Sequence, residues 1–312
     1  MNKIKVGLLY GGDSAEHDVS IMTADSIYEN IDKDKFDVIK IFIDKSGNMD
    51  EGLLKNIDIA FLAVHGANVE DGKLQKFLEK KELKYTGPHI EASALNMDKI
   101  RMHQSFEKAG IPTVEFIGIN QNDSTEKIEE QINRLGYPVF VKPNNAGSSL
   151  GITKVDKEED LSTAVEEAKK YDDIIIIEKG IRNPKEYEVA VLGNDDLTIS
   201  DPGEVLVNGQ FYSYNKKYFD PFETTTKALG LSDQEKETIK KMVEKAYKTT
   251  GCVGYSRIDF LMDEERKIYI NEINTLPGFT KISMFPKLMA AMGISYKELI
   301  AKIINLGLEC RR

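Results

Sequence analysis

The sequence predicts an α/β and α+β protein built from two or three domains. Its 312 residues exceed the length of one average domain, roughly 150 residues. Over the first third of the chain, apolar segments of strand length alternate with helical segments, as in parallel α/β domains. Further on, several predicted strands are joined by connections too short for a crossover helix, which favours antiparallel pairing.

Composition and charge exclude several classes of protein. Hydrophobic residues make up 41% of the chain and charged residues 30%, as in folded globular proteins. The net charge of −10 disfavours a broad nucleic-acid surface, and the longest aliphatic run, 174–177, is too short to cross a membrane. The first residues lack a signal-peptide core, and Cys252 and Cys310 form neither a disulfide framework nor a metal motif. We therefore expect a cytoplasmic protein without a nucleic-acid or membrane partner.

The predicted elements fall into three groups along the chain. The first is a parallel α/β unit with strands near 4–10, 36–43 and 57–64 and helices near 14–31 and 71–81. The second has helices near 98–109, 124–135 and 157–170 and strands near 113–118, 138–142, 152–155, 173–178 and 187–192. The third has helices near 233–249 and 295–307 and strands near 253–262 and 267–273. The domain boundaries are predicted near 98 and 182, which gives domains of 1–98, 99–182 and 183–312 and assigns the strand near 187–192 to the third domain.

Two loops of the first unit are candidate ligand sites. Gly11 and Gly12 open a turn into the first helix, where exposed N–H groups favour an anion. Glu16 follows, but Asp13 and Glu16 also fit a capping box, which is the commoner role for such a pair. The second loop, His65–Lys73, lacks the spacing of a P-loop, yet it follows a parallel strand. Alternatively, the loop is only the start of a helix, where Glu70 and Asp71 interact favourably with the helix dipole.

A third loop, Lys142–Gly151, has the composition of a phosphate-binding segment. Its glycines and serines leave backbone N–H groups and hydroxyls free to fold over phosphates. Lys142 would add a positive charge at the end of the preceding strand. An ordinary hairpin connection is the alternative.

The most specific pattern lies on the last two predicted strands. Arg257 and Asp259 share one strand face, and Glu272 and Asn274 share another. A turn centred on Glu265–Arg266 would pair Asp259 with Glu272 and Arg257 with Asn274. Two carboxylates and an amide oxygen suit Mg²⁺ bound to phosphates, and the arginine could stabilise developing negative charge. A surface ion pair is the alternative, but acid opposite acid favours a cation.

Weaker signals complete the set. Glu178 and Lys179 end a strand from which backbone groups could bind a base, and Pro277–Thr280 follows the last predicted strand. His89 and His103 are predicted to be ordinary surface or core residues.

Taken together and in order, these segments resemble the D-alanine–D-alanine ligase family of ATP-grasp enzymes. The matching segments are GGDSAEHDVS, HGANVEDG, SALNMDK, KPNNAGSSLGI, EYEVAVLG, KKY and RIDF…NEINTLPGFTKISMFP. The resemblance covers essentially the whole chain. It implies a three-domain ATP-grasp fold with an N-terminal parallel α/β domain and ATP between the central and C-terminal domains.

The resemblance also implies site residues. Those around ATP would be Lys99, Lys142, Ser148, Ser149, Glu178, Lys179, Ile181, Glu186, Phe211 and Lys217. Those that bind two Mg²⁺ or Mn²⁺ ions would be Asp259, Glu272 and Asn274. Those that bind the amino acids would be Glu16, which holds the ammonium of the first D-alanine, together with His65, Lys217, Ser283 and Met284. Arg257 and Gly278 would stabilise the tetrahedral intermediate, and Glu16, Ser148 and Tyr218 would form a hydrogen-bonded catalytic set.

The implied activity is ATP-dependent synthesis of D-alanyl-D-alanine through D-alanyl phosphate, for peptidoglycan, by a homodimer. An acyl phosphate must be shielded from water, so a closing lid is expected near 204–230. Tyr218 on that lid implies D-alanine rather than D-lactate as the acceptor. The alternatives are a D-alanine–D-serine or D-alanine–D-lactate ligase and a non-catalytic nucleotide sensor, against which the intact acidic set argues.

Overall fold

The computed structural model describes residues 3–120, 123, 125–147, 149–206 and 224–310. Within these residues the strands form three sheets, one parallel and two antiparallel. None of the helices in the described segments combines the length and the apolar character needed to span a membrane.

The first sheet is parallel, with strand order β2-β1-β3-β4. Its elements are β1 (Ile4–Gly11), α1 (His17–Asn30), β2 (Phe36–Ile43), β3 (Ile59–Val64), α2 (Lys73–Lys80) and β4 (Lys84–Tyr85). β3 is buried at every position, because helices cover both faces of a parallel sheet. The predicted parallel unit is therefore confirmed.

The second sheet is antiparallel, with strand order β5-β8-β6-β7, as its short connections predicted. The chain reaches it through α3 (Ile90–Met97) and α4 (Lys99–Lys108). Its elements are β5 (Phe116–Asn120), α5 (Thr125–Leu135), β6 (Val139–Pro143), β7 (Thr153–Val155), α6 (Leu161–Ala168) and β8 (Ile174–Lys179).

The third sheet has strand order β12-β11-β9-β13-β14, with β10 beside β9. Its strands are β9 (Lys185–Leu192), β10 (Thr198–Ile199), β11 (Gly203–Val205), β12 (Thr224–Thr225), β13 (Tyr255–Met262) and β14 (Ile268–Asn274). Its helices and those that follow are α7 (Asp233–Thr249), α8 (Met284–Ala291) and α9 (Tyr296–Glu309). The sequence did not predict α3, α8 or the two-residue and three-residue strands β4 and β10–β12, which are short and carry weak periodicity.

Two helices pack away from their neighbours in sequence. Leu299 and Ile303 on α9 belong to the core of the first sheet. Met102 and Phe106 on α4 belong instead to the core of the third sheet. The helix that precedes the second sheet thus joins it to the third, and the last helix closes the first.

A β-bulge sets the face of β14 that carries polar groups. The predicted pairs Arg257–Asn274 and Asp259–Glu272 are confirmed, but the register then shifts, so that Phe260 pairs with Ile270. Regular alternation would put Glu272 on the same buried face as Ile270. The extra residue, Asn271, moves Glu272 and Asn274 to the open face and Ile273 into the core.

Deletion of Asn271 should therefore be tolerated by the third sheet. Without this extra residue, Ile270 and Glu272 become neighbours and regular alternation keeps Glu272 on the open face, so we expect the free energy of unfolding to change by no more than about 1 kcal/mol. Urea denaturation measures this quantity. Asn271→Ala, which keeps the bulge, is the matched control and should be about equally stable. A deletion variant that is less stable than Asn271→Ala by about 3 kcal/mol or more would contradict this account of the bulge.

Candidate active site

A cleft lies between the second and third sheets. It encloses about 960 Å³ of space, counting the part open to solvent, which is the size of a site for a nucleotide-sized ligand. Predicted residues from both sheets line it, namely Lys99, Lys142, Ser149, Glu178, Lys179, Ile181, Glu186, Asp259 and Glu272. Apolar side chains of Val114, Phe140 and Ile152 line it as well, so the walls can cover both a flat ring and charged groups.

An acidic row forms one wall of the cleft. Glu188 on β9 lies opposite Asp259 on β13, which lies opposite Glu272 on β14. Adjacent antiparallel strands therefore place three carboxylates side by side on one face. Glu188 is only 3% exposed. Like charges in such positions destabilise a sheet unless positive charge offsets them.

Arg257 supplies positive charge to the acidic row. Its Nε and Nη2 donate to the two carboxylate oxygens of Asp259, at 2.7 Å each, and its Nε lies 3.2 Å from Glu188 Oε2. Asn274 Nδ2 also donates to Asp259 Oδ2 at 3.0 Å. In this arrangement, the carboxylates of the described residues do not converge closely enough for three of them to bind one metal ion. A cation at Asp259 would require Arg257 to release those oxygens.

The residues of the row fit a divalent cation. Carboxylate and amide oxygens are the ligands that Mg²⁺ and Mn²⁺ prefer. The three carboxylates and Arg257 together keep a net negative formal charge, which a bound cation would offset. The side chains that could hold it are Asp259, Glu272 and Asn274.

A basic wall faces this row. Lys142 Nζ lies 2.5 Å from Glu178 Oε2, and Lys99 Nζ donates to the Ala146 carbonyl at 2.5 Å. Burial alone would raise the pKa of the Glu178 carboxyl, but Lys142 and His103 outweigh burial and hold that pKa well below its usual value. Both lysines are largely buried, so their charges are weakly screened.

The loop after Lys142 is both a hairpin connection and a wall of the cleft. β6 and β7 pair antiparallel across it, and Ala146, Gly147 and Ser149 line the cleft. Asn144 fixes the loop to the start of α4, because its side chain accepts from the Ile100 N–H and donates to Asp98. The two interpretations of this loop are therefore compatible.

Glu16 lies where the loops of the first sheet meet this loop. α1 begins at His17 with Glu16 at its N-cap and no capping bond from that side chain, so the capping-box interpretation is wrong. The Glu16 side chain is buried instead. Its Oε2 lies 2.8 Å and 3.1 Å from the positions that a Cβ would take at Gly66 and Gly147. Glycine at both positions thus leaves room for the carboxylate beside the cleft.

His65 stands next to Glu16 at the end of β3. Its Nδ1 donates to the Leu276 carbonyl at 3.1 Å and lies 3.5 Å from Glu70 Oε1, while Nε2 lies 2.9 Å from Thr23 Oγ1. α2 begins only at Lys73, and the Glu70 carboxylate faces His65 rather than the start of that helix, so the dipole interpretation is wrong for Glu70. Glu16, His65 and Glu70 form a buried polar pocket at this end of the molecule.

Burial also shifts the proton affinities in that pocket. It raises the pKa of Glu70 to about 7, against the hydrogen bond from His65 and with help from the Glu16 charge. For the His65 imidazole, burial lowers the pKa, but the hydrogen bond and charge of Glu70 dominate and raise it above its usual value.

The predicted second amino-acid subsite lies at the start of α8. Ser283 is its N-cap residue, and its Oγ accepts from the Thr280 N–H at 3.0 Å. A Cβ at Gly278 would come within 3.1 Å of that oxygen. The Met284 side chain is buried, so a carboxylate here would meet backbone N–H groups of the helix start rather than that side chain.

Four predicted residues lie outside the described residues: Ser148, Phe211, Lys217 and Tyr218. Most of the predicted lid, 204–230, lies outside them too. No sequence pattern singled out Glu70, His103, Glu188 or Asn271 as a site residue, and all four lie in or beside the site. The alternation in EYEVAVL, which puts Glu186 and Glu188 on one strand face, could have indicated Glu188.

The stability of the protein should depend on pH through Glu70. Because its pKa is about 7 when folded and near 4.5 when unfolded, the folded state binds more protons between these values. The stabilisation is therefore present at low pH and lost as pH rises through 7, and the raised pKa of His65 acts in the same sense. Urea denaturation at pH 5 to 8 measures the unfolding free energy of the unaltered protein and of Glu70→Gln. The value for the unaltered protein minus that for the variant should decrease as the pH rises. A difference that grows with pH would contradict this.

Comparisons with known proteins identify the family. The family models described as D-ala D-ala ligase N-terminus and D-ala D-ala ligase C-terminus match residues 5–52 and 105–305. A D-alanine–D-alanine ligase of Thermoanaerobacter sp. is 40% identical over 99% of this chain and 98% of its own length.

Solved structures are similar as well. The VanG D-Ala:D-Ser ligase of Enterococcus faecalis has a TM-score of 0.88 at 32% identity, covering 98% of this chain and 100% of that chain. A D-alanine–D-alanine ligase of Bacillus anthracis complexed with ATP has a TM-score of 0.84 at 29% identity, covering 98% of this chain and 97% of that chain. The chain therefore belongs to the D-alanine–D-alanine ligase family and has its ATP-grasp fold.

Proposed function

We propose that this protein is an ATP-dependent ligase that joins two D-alanines to D-alanyl-D-alanine for peptidoglycan synthesis. The observation that carries the proposal is the meeting of two sites. The Glu16 carboxylate lies against the loop that lines the cleft, so a bound amino acid and a bound nucleotide would be neighbours. The full-length similarity to named D-alanine–D-alanine ligases supports the same substrate.

The reaction divides into two steps. A carboxylate oxygen of the first D-alanine attacks the γ-phosphorus of ATP, and ADP leaves, which gives D-alanyl phosphate. The ammonium of the second D-alanine then loses one proton to solvent, and the resulting amine attacks the carbonyl carbon. The nitrogen loses a second proton as the C–O bond breaks, and phosphate leaves with the electron pair of that bond. The acidic pocket of Glu16, His65 and Glu70 suits the ammonium of the first D-alanine. The start of α8 suits the carboxylate of the second.

The cleft residues suit the nucleotide. Lys99 and Lys142 would bind phosphate oxygens, and Glu178, Lys179, Ile181 and Glu186 would surround the rest, with Ser149 on the loop. Ser148, Phe211 and Lys217 keep the nucleotide roles, and Tyr218 the catalytic role, that the resemblance implies. Arg257 and Gly278 would stabilise the tetrahedral intermediate, to which the arginine could turn once it leaves Asp259.

Asp259, Glu272 and Asn274 would hold two Mg²⁺ or Mn²⁺ ions. When bound, such ions screen phosphate charge and stabilise the charge that develops in phosphoryl transfer. The domain limits 1–98, 99–182 and 183–312, the homodimer and the cytoplasmic location stay predictions.

A specific observation favours one alternative function, in which D-serine or D-lactate replaces the second D-alanine as the acceptor. The VanG D-Ala:D-Ser ligase is as similar in fold as other members of the family, so the fold does not select the acceptor. ADP release should be measured with D-alanine alone, with added D-serine and with added D-lactate, and the products identified by mass. We expect D-alanyl-D-alanine to dominate. A dominant mixed product would favour the alternative ligases, and no ADP release with any acceptor would favour a non-catalytic sensor.

Loss of one acidic ligand should abolish turnover. Asp259→Asn and Glu272→Gln each remove an anionic oxygen, and we expect at least a ~100-fold fall in Mg²⁺-dependent ADP release. The fold should survive, because the change relieves repulsion within the acidic row. Glu264→Gln, in the exposed β13–β14 turn, is the matched control and should retain full activity. Folded variants with near-normal rates would refute the ligand assignment.

Glu16→Gln should weaken binding of the first D-alanine. A charge-assisted contact becomes a neutral one, a loss of roughly 1–2 kcal/mol, so KM for D-alanine should rise about tenfold. Initial rates at saturating ATP measure this, and KM for ATP should change little. Asp13→Asn, which alters an exposed acid of the same loop, should leave both constants unchanged. Unaltered D-alanine saturation in Glu16→Gln would remove Glu16 from the subsite.

A further inference from the structure

His103 is a buried histidine behind the wall of the cleft, in contact with Glu178, and the sequence indicates no role for it. It has no exposed surface and its ring stacks on Phe116, with centroids 5.0 Å apart and planes at 28°. Both ring nitrogens have polar partners: Nε2 lies 3.2 Å from Glu178 Oε1, and Nδ1 lies 2.5 Å from Thr113 Oγ1. A histidine that served only to fill space would not need both contacts.

In the bond between His103 and Glu178 the ring is the donor and the carboxylate the acceptor. Glu178 is held ionised by its neighbours, and an ionised carboxylate only accepts, so His103 Nε2 donates to it. Glu178 uses its other oxygen, Oε2, to accept from Lys142. Each carboxylate oxygen thus receives one strong donor.

This division of the carboxylate matters for Lys142. The terminal torsion of a glutamate is soft, and without His103 the carboxylate could turn both oxygens toward the ammonium. Lys142 would then be drawn toward Glu178 and away from the phosphates that it would bind in the cleft. The His103 bond holds the carboxylate in the orientation that leaves Lys142 at the wall of the cleft.

His103 also links the two sides of the cleft. Thr113, its second partner, forms a parallel β-bridge with Ile270 on β14, close in sequence to Glu272. His103 and Lys99 are four residues apart on α4 and therefore share a helix face. One helix thus presents a lysine to the cleft and fixes the partner of a second lysine.

We propose that His103 is a positioning residue of the nucleotide site, which orients Glu178 and through it Lys142, and which ties this pair to the metal-binding strand through Thr113. The inference rests on the proposed function, because a nucleotide is the expected occupant of the cleft. It assigns His103 no contact with substrate.

Two substitutions each remove one of the two hydrogen-bond contacts of the His103 ring and keep the other. The amide nitrogen of Gln reaches the position of Nε2, so His103→Gln retains a donor toward Glu178 and loses the Thr113 contact. The amide nitrogen of Asn reaches the position of Nδ1, so His103→Asn retains the Thr113 contact and loses the bond to Glu178. Both variants remove the ring, so a purely structural role predicts similar losses for both.

The test measures the dissociation constant of a non-hydrolysable ATP analogue with Mg²⁺ by calorimetry, and the KM for ATP. We expect His103→Asn to raise both about tenfold, the effect of one charge-assisted hydrogen bond, while His103→Gln stays within about threefold and the KM for D-alanine is unchanged. In a Glu178→Gln background, His103→Asn should have no further effect on analogue binding. His89→Gln, at a histidine that contacts Cys310 and does not line the cleft, is the control.

Equal losses in the Asn and Gln variants, or a folded Asn variant that binds the analogue normally, would overturn the proposal. If His103→Asn does not fold, His103→Leu fills the site without polar atoms and gives the same comparison with His103→Gln. Failure of the proposed function looks different, since the unaltered protein would then bind the analogue and yet form no dipeptide.

Discussion

The repulsion among three neighbouring carboxylates is the constraint on which the rest of the site depends. The strand order β9-β13-β14 places Glu188, Asp259 and Glu272 side by side, and such a row is stable only when positive charge lies against it. Arg257 supplies charge from within the same sheet. Lys99 and Lys142 lie on the opposite wall of the cleft. A bound polyphosphate would lie between these lysines and the acidic row. A nucleotide with its cations is complementary to both walls.

On the opposite wall, hydrogen bonds to a single carboxylate stabilise the buried charges. There the carboxylate of Glu178 accepts hydrogen bonds from Lys142 and His103, so a buried acid lies between two donors. Glu178 on β8 thus contacts Lys142 on β6 and His103 on α4, so the hydrogen bonds that set the charge of this wall also connect the second sheet to the helix that packs on the third.

Sequence patterns predicted which residues of one hairpin face each other. They did not predict the contacts that arise because elements distant in sequence pack side by side. The pairs Asp259–Glu272 and Arg257–Asn274 were predictable, because residues two apart share a face and the turn fixes the register. The bulge was not predicted, although two consecutive polar residues between Ile270 and Ile273 mark it. Glu188 enters the row only because β9 lies beside β13, and His103 acts only because α4 packs between two sheets. Neither neighbour relation can be derived from local periodicity.

The position of α9 has a consequence for how the protein is made. Its apolar face completes the core of the first sheet, yet two further sheets separate it from that sheet along the chain. On the ribosome, the earliest strands therefore emerge long before α9, which completes their core. Contacts of such long sequence separation form slowly, and exposed apolar strands are prone to aggregation meanwhile. The first part of the chain to be synthesised is thus the last to complete its core, and chaperone dependence during translation should be concentrated on residues 4–64.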